Sequence, residues 1–317
     1  MKLLSICISN MVRLLGRAPE YVPDWSKPVL KHFLGVYSKV YKRCYSSIKE
    51  EKLIKTPMGP WIYVNYWDYV EREIANGAYE RRYMDIFCSK VKEGDVVVDV
   101  GAYVGIFSLL AAERVGSAGC VYAFEPVSRN YERLMRNLKL NHVENVKAYN
   151  FGLSDKNETL HFNVPRENPA EATLYESAVS EISKSIKMQK DVVESSLKPF
   201  DQFYMEEGLN KVDIVKIDVE GAELKVLKGM ENILKSNDLL LFIEIFPPLI
   251  EHIGGSVGEL ITLLANCGFK NIYSVKSDRH LYLGINVKNA NEIVEFIREC
   301  EYNFILSKNE GDIKWWN

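Results

Sequence analysis

The sequence predicts an α/β protein in which a mostly parallel sheet carries helices on both faces. Short apolar runs alternate along the chain with longer segments whose apolar residues recur at helical spacing. The clearest example starts with the β-branched run 96–98, continues through a glycine turn and a helical pattern over 104–114, and ends with the apolar run 120–124. This order is typical of two parallel strands joined by a helix.

Further patterns extend this unit to seven predicted strands and an N-terminal cap. The strands are predicted at 96–99, 120–124, 146–151, 212–218, 239–245, 269–275 and 281–285, the last two as an antiparallel pair. Helices are predicted at 70–90 (two helices around an Asn-Gly turn), 128–141, 221–230, 256–267 and 289–300. We divide the chain into a cap at 1–77, a core domain at 78–287 and a C-terminal helix and tail at 288–317.

Composition and charge narrow the function classes. The chain has 317 residues, 47% hydrophobic and 26% charged, with a net charge of −3, which is typical of a globular protein and lacks the basic footprint of a nucleic-acid binder. Its six cysteines show no CxxC spacing, so we expect a reduced, cytoplasmic protein. Residues 1–16 predict an amphipathic helix rather than a signal peptide or a membrane span. That helix has two interpretations, docking on the body, which we prefer, and weak contact with a membrane surface.

Acidic residues stand at the ends of the first two predicted strands. Asp99 precedes Gly101 by two residues, and the turn then reads G-x-x-x-G, with Tyr103 in place of the middle glycine of a dinucleotide motif. A carboxylate here disfavours a diphosphate and suits a cation, and Glu125 is placed to accept ribose hydroxyls. S-adenosylmethionine carries an ammonium and a sulfonium and no phosphate, so we predict a site for it. A dinucleotide site and a plain buried unit are the alternatives, because a glycine turn alone is a weak signal.

A second stretch, VKIDVEGAELKVLKGM at 215–230, is long and distinctive. Together with DVGAYVG and AFEP, in this order, it makes the chain resemble the FkbM-like family of S-adenosylmethionine-dependent methyltransferases over about residues 78–283. The resemblance implies a class I, Rossmann-like seven-stranded domain. It also implies that the acceptor is a hydroxyl of a sugar, lipid or polyketide-like molecule.

The resemblance also assigns cofactor-binding positions. The family's first motif falls on the turn after Asp99, its ribose-binding strand end on Glu125, and its adenine-covering loop on 150–154. The predicted cofactor residues are Asp99, Gly101, Ala102, Tyr103, Gly105, Glu125, Pro126, Asn150, Gly152 and Ser154. The chain departs from the family at Tyr103, where Asn is common, and at Phe246, which follows the strand-five acid where His is common.

Three acids are predicted at the carboxyl ends of strands four and five, where open α/β sheets bind their ligands. We expect Asp218, Glu220 and Glu244 to be catalytic, with Asp218 the first candidate for positioning the acceptor or taking its proton. For Glu220, a helix N-terminal charge is an equally good interpretation. We expect Lys216 to be an ion-pair partner of a neighbouring acid. Three acids can also hold Mg²⁺, but no His or Asn supports this, so no metal is predicted.

Three functions therefore compete. The preferred one is an O-methyltransferase acting on a small-molecule or glycan acceptor. The second is a nicotinamide-dependent oxidoreductase, which the missing middle glycine and Asp99 disfavour. The third is a methyltransferase-like module that binds without catalysis, its cap and the polar insertion at 166–194 serving a partner.

Overall fold

A computed structural model describes residues 51–66, 68–165, 170, 172, 190–275, 279–282, 290–300 and 302–309. The predicted N-terminal amphipathic helix and most of the insertion at 166–194 lie outside the described residues. In the part of the chain that is described, no helix has both the length and the apolar character needed to cross a membrane.

The described N-terminal part is a hairpin followed by two helices. Strand β1 (Lys52–Lys55) pairs antiparallel with β2 (Trp61–Val64), and helices α1 (Tyr69–Asn76) and α2 (Arg81–Lys90) follow. Asp68 caps α1 by accepting a hydrogen bond from the Glu71 N–H at 3.0 Å. Gly77 ends it in the left-handed conformation, with φ 68°. The predicted helix–turn–helix is therefore confirmed, whereas the described part of the predicted helical cap also contains the hairpin.

The other strands form a large central sheet and a small one. In chain order they are β3 (Val96–Val100), β4 (Cys120–Phe124), β5 (Val146–Tyr149), β6 (Gly152–Leu153), β7 (Glu158–Pro165), β8 (Lys190–Lys198), β9 (Ile214–Ile217), β10 (Leu240–Glu244), β11 (Asn271–Ser274), β12 (Arg279–Tyr282) and β13 (Asn303–Ser307). Within the described ranges the central sheet has the order β12-β11-β13-β10-β9-β3-β4-β5. The run from β10 to β5 is parallel, and β13, β11 and β12 add antiparallel pairs. Strands β6, β8 and β7 form the small sheet.

Helices cover both faces of the central sheet. They are α3 (Ile106–Val115), α4 (Ser128–Leu140), α5 (Phe200–Glu206), α6 (Glu223–Lys228), α7 (Glu231–Ser236), α8 (Pro247–His252), α9 (Val257–Asn266) and α10 (Ala290–Glu299). Alternate residues of the strands enter two separate apolar clusters, since side chains along a strand point to opposite faces. One cluster joins β2 and α1–α4 to the sheet, and the other joins α5–α7, α9 and α10.

The predicted Rossmann-like fold, with a mostly parallel sheet and helices on both faces, is confirmed. Among the described residues the central sheet has eight strands, one more than predicted, because β13 lies between β10 and β11 instead of belonging to a tail. The predicted hairpin of 269–275 and 281–285 does form, as β11 and β12, but β13 separates it from β10. The strand is short and pairs only with partners distant in sequence, so no local turn signal marks it. The domain boundaries at 77 and 287 stay predictions.

Candidate functional site

The turn after β3 packs directly onto its neighbours. A Cβ on Gly101 would lie 1.9 Å from the main-chain oxygen of Asp218, and one on Gly105 would lie 2.4 Å from Leu134 of α4. Both glycines have positive φ, as does Tyr103 with φ 51°. At Gly101 any side chain would collide with the main chain of Asp218, and at Gly105 the positive φ favours glycine and an added Cβ would displace the Leu134 side chain.

The main-chain N–H groups of this turn are used inside the protein. Gly101 and Ala102 both donate to the Phe124 carbonyl at 3.0 Å, and Gly105 donates to the Ala102 carbonyl at 2.8 Å. The Tyr103 N–H donates to Glu125 Oε2 at 2.9 Å. A dinucleotide motif needs such groups free to meet a pyrophosphate. Their engagement disfavours a phosphate at this turn.

Glu125 is a fixed, buried carboxylate just beyond the end of β4. It is 4% exposed and accepts hydrogen bonds from the main-chain N–H groups of Tyr103 and Val127, both at 2.9 Å, and from Asn130 Nδ2 at 3.4 Å. Burial raises its pKa to about 7, against the lowering effect of these donors. These three donors, which act on both carboxylate oxygens, set its orientation. A carboxylate held in this way can accept a pair of neighbouring hydroxyls.

Asp99 lies beneath the turn rather than at an open surface. It is 1% exposed, its Oδ2 accepts from the Ser108 hydroxyl at 2.6 Å, and its Oδ1 lies 3.5 Å from Lys216 Nζ. Lys216 also donates to the Gly101 carbonyl at 3.0 Å and lies 3.8 Å from Asp218 Oδ2. As predicted, Lys216 pairs with neighbouring acids. The predicted contact of Asp99 with a cofactor cation stays a prediction.

The three predicted catalytic acids come together beyond β9 and β10. Asp218, Glu220 and Glu244 each place a carboxylate oxygen within 4.8 Å of the other two. Glu244 is buried and the others are half-buried. Burial raises the pKa of Asp218 well above its usual value; Lys216 opposes this, and Glu244 reinforces it. Three carboxylates at this spacing could hold a hard cation such as Mg²⁺, or could offer a protonatable group to an acceptor.

Glu80, just before helix α2, and Tyr83, within it, also interact electrostatically with these acids. Glu80, with φ 40°, precedes the helix and accepts a hydrogen bond from Asn303 Nδ2 at 2.8 Å. The charges of Glu80 and Asp218 are among those that raise the pKa of Tyr83, after burial. No pattern in the sequence predicts a role for either residue. Their position depends on α2 packing over the sheet and, for Glu80, on β13, and neither is marked by a motif.

The residues of the predicted adenine loop lie in two different environments. Asn150 donates to the Glu125 carbonyl at 3.0 Å, and Gly152 packs against Pro126, so both lie near the end of β4. Ser154 is fully buried, and its hydroxyl donates to Glu158 at 2.6 Å. The adenine contact of these residues stays a prediction, and for Ser154 the hydroxyl is already engaged.

Comparison with known proteins decides the family. The sequence model of the methyltransferase FkbM domain matches residues 99–270, more than half of the chain. The chain belongs to this family. The match spans the turn after β3, Glu125 and the acids beyond β9 and β10, so it covers the site described above. It confirms the resemblance carried by the sequence motifs and favours adenosylmethionine over a nicotinamide dinucleotide.

Individual relatives are similar to only part of this FkbM-family chain. It is 35% identical over 156 residues to methyltransferase sdnD of Sordaria araneosa, which covers 43% of this chain and 60% of that protein. It is 29% identical over 164 residues to the hexuronic acid methyltransferase AglP of Haloferax volcanii, covering 51% and 61%. The chain thus spans about 60% of the length of these relatives. A crystal structure of methyltransferase FkbM from Methylobacillus flagellatus KT aligns with 76% of this chain and 55% of that one, at 13% identity and a TM-score of 0.40.

Proposed function

We propose that this chain is an S-adenosylmethionine-dependent O-methyltransferase that acts on a hydroxyl of a small-molecule or glycan acceptor. The observation that carries the proposal is the buried Glu125 carboxylate, held at the end of β4 by the N–H groups of Tyr103 and Val127. Family membership supports the methyl transfer. The name of the relative AglP, a hexuronic acid methyltransferase, supports a sugar-like acceptor.

The residues around Glu125 fit adenosylmethionine better than a dinucleotide. Glu125 offers two carboxylate oxygens to the ribose hydroxyls, and the turn N–H groups of Gly101, Ala102, Tyr103 and Gly105 are occupied. When bound, the cofactor supplies a methyl group on a positively charged sulfur. The residues proposed to hold it are Asp99, Gly101, Ala102, Tyr103, Gly105, Glu125, Pro126, Asn150, Gly152 and Ser154.

The acids beyond β9 and β10 are proposed to handle the acceptor. Asp218 takes the proton of the attacking hydroxyl, and its raised pKa moves it towards the range in which a general base works near neutral pH. Glu220 and Glu244, whose oxygens lie within 4.8 Å of those of Asp218, accept hydrogen bonds from the acceptor and fix its orientation.

Transfer of a labelled methyl group tests this proposal. The purified protein is incubated with methyl-labelled S-adenosylmethionine and a small-molecule extract of the source cells, and labelled products are separated by mass. We expect a labelled methyl ether that is absent when Asp218→Asn replaces the wild type. Cofactor binding without any labelled product, across all extract fractions, would instead support the binding-only alternative. Oxidation of NADH with the same extract would support the oxidoreductase.

A further inference from the structure

We propose that the hydroxyl of Tyr83, on α2, donates a hydrogen bond to the acceptor oxygen, opposite the carboxylate of Asp218. This assigns an acceptor-binding residue that no motif marks, and it rests on the proposed function. It also defines the reacting group as a neutral hydroxyl, as on a sugar or polyol.

The Tyr83 hydroxyl is buried and has no hydrogen-bond partner among the described residues. The residue as a whole is 3% exposed. Buried hydroxyls in folded proteins are almost always paired, because an unpaired one loses its hydrogen bonds to water without replacement. Because none of the described residues pairs with this hydroxyl, an acceptor oxygen can serve as its partner.

Strand register relates Phe242, which packs against the Tyr83 ring, to the acids. Asp99, Lys216 and Phe242 are direct neighbours across β3, β9 and β10. Asp218 and Glu244 lie two residues further along β9 and β10, next to one another at the carboxyl ends of these strands.

The ring of Tyr83 packs against Phe242, which lies in register with Lys216 and Asp99. It makes edge contacts with Phe242 and Phe107, at centroid distances of 5.5 and 5.9 Å. Phe242 and Glu244 lie two residues apart in β10 and therefore point to the same face of the sheet, so the ring of Tyr83 packs on the face that carries Glu244. Burial, and then the charges of Glu80, Asp218 and Glu244, raise the pKa of the Tyr83 hydroxyl. Because the ring is packed on two sides, the hydroxyl is held in place.

The chemistry of this pair suits a neutral alcohol. The acceptor oxygen receives a hydrogen bond from Tyr83 and gives its own proton to Asp218 as it bonds to the methyl carbon. The carbon–sulfur bond breaks, and its electron pair stays on sulfur, which loses its positive charge. A carboxylate on the reacting group would instead face Asp218, Glu244 and Glu80, so like-charge repulsion disfavours it.

The variant Tyr83→Phe tests the proposal, because it removes the hydroxyl and keeps the packed ring. The rate of label transfer from S-adenosylmethionine to the cell extract should fall at least about tenfold, the size expected for one lost hydrogen bond to a reacting group. The calorimetric Kd for S-adenosylmethionine should not change. The melting temperature should rise by a few degrees, roughly, since an unpaired buried hydroxyl is removed. The labelled methyl group should resist mild alkaline hydrolysis, because a methyl ether is stable to base whereas a methyl ester is not.

Tyr131→Phe is the matched control, because the Tyr131 hydroxyl already donates to the Ala148 carbonyl at 3.4 Å. It should leave the transfer rate unchanged and should not raise the melting temperature. Transfer by Tyr83→Phe at the wild-type rate, or a lowered melting temperature, overturns the role of Tyr83 while the methyltransferase proposal stands. Label released as methanol by mild alkaline hydrolysis overturns the neutral-hydroxyl assignment, since it identifies a methyl ester of a carboxylate. A wild-type protein that transfers no label contradicts the proposed function, and the Tyr83 role falls with it.

Discussion

The Tyr103 hydroxyl lies 2.5 Å from Asp68 Oδ2, and this contact joins the N-terminal part of the chain to the turn after β3. The same hydroxyl lies 2.8 Å from Glu71, which pairs with Arg133 of α4. The main-chain N–H of Tyr103 donates to Glu125. A single residue, held in the left-handed conformation, therefore links the N-terminal helix α1 to the carboxylate proposed to bind the ribose.

Removing this hydroxyl should weaken both the fold and the site. In Tyr103→Phe, buried Asp68 and Glu71 lose a donor, so the free energy of unfolding should fall by about 1–3 kcal/mol. The Kd for S-adenosylmethionine should rise several-fold, because the Tyr103 N–H then orients Glu125 less well. Urea unfolding and calorimetry measure the two effects. Unchanged values for both would show that the contact orients nothing.

The pKa of Glu125 predicts a pH dependence of binding. Its carboxylate must be ionised to accept two ribose hydroxyls, and its pKa is raised to about 7. Affinity for S-adenosylmethionine should therefore increase between pH 6 and pH 8. In the absence of ligand, the stability of the fold changes with pH in the opposite direction to this affinity. A folded-state pKa above the ordinary 4.5 adds stability at low pH, and this is lost as pH rises through about 7.

The variant Glu125→Gln separates the titration of Glu125 from that of other acids with similar pKa values. Burial also raises the pKa values of Asp68 and Glu223 to about 7, so the wild-type stability curve contains all three contributions. The difference between the wild-type and Glu125→Gln curves isolates Glu125. If the affinity of the wild type is flat from pH 6 to pH 8, Glu125 does not bind the ribose in its ionised form.

Much of the fold was readable because local patterns and tertiary structure agree. The run 96–98, the glycine turn and the apolar run 120–124 became β3, the turn and β4 with boundaries within two residues. Strand β13 was not readable. Its place between β10 and β11 depends on pairing with residues far away in sequence, which no local pattern reports.

The residues of the candidate site were also predictable only in part. Asp218, Glu220 and Glu244 were predicted together because the ends of parallel strands meet at one edge of the sheet, and they do meet. Tyr83 and Glu80 were missed because they reach the site from α2, whose packing is set by Phe242 and by Asn303. The pairing of Lys216 with a neighbouring acid was predicted, but no spacing in the sequence reveals that Ser108 donates to Asp99.

The close approach of Gly101 to Asp218 predicts a large loss of stability on substitution. In Gly101→Ala the new methyl would lie 1.9 Å from the Asp218 carbonyl oxygen, at a φ of 78°. The free energy of unfolding should fall by about 3 kcal/mol or more, since both strain and displacement of the turn contribute. Gly208→Ala is the control, with φ 64° and no atom within 4 Å of the added Cβ. It should cost about 1 kcal/mol. Equal losses in the two variants would contradict a packing role for Gly101.

Asp218→Asn tests the assignment of the base. The amide keeps the shape of the side chain but cannot take a proton, so the variant should fold, bind S-adenosylmethionine normally and lose at least about a hundredfold in turnover. Asp85→Asn, which removes only an exposed ion pair with Arg81, should keep wild-type turnover. EDTA should leave the wild type active. Activity lost to EDTA and restored by Mg²⁺ would instead assign the three acids to a metal, and wild-type turnover by Asp218→Asn would exclude them from catalysis.

Calorimetric titration of the wild-type protein and of Glu125→Ala with S-adenosylmethionine tests the central claim most directly. The wild type should bind S-adenosylmethionine and S-adenosylhomocysteine at one site and should not bind NAD. Glu125→Ala should bind more weakly by about 1–3 kcal/mol, because the ribose hydroxyls lose a charged acceptor. Glu113→Ala, which removes a mostly exposed acid of α3, should bind like the wild type. Equal affinity of the wild type and Glu125→Ala, or binding of NAD in place of S-adenosylmethionine, would contradict a cofactor site at the ends of β3 and β4.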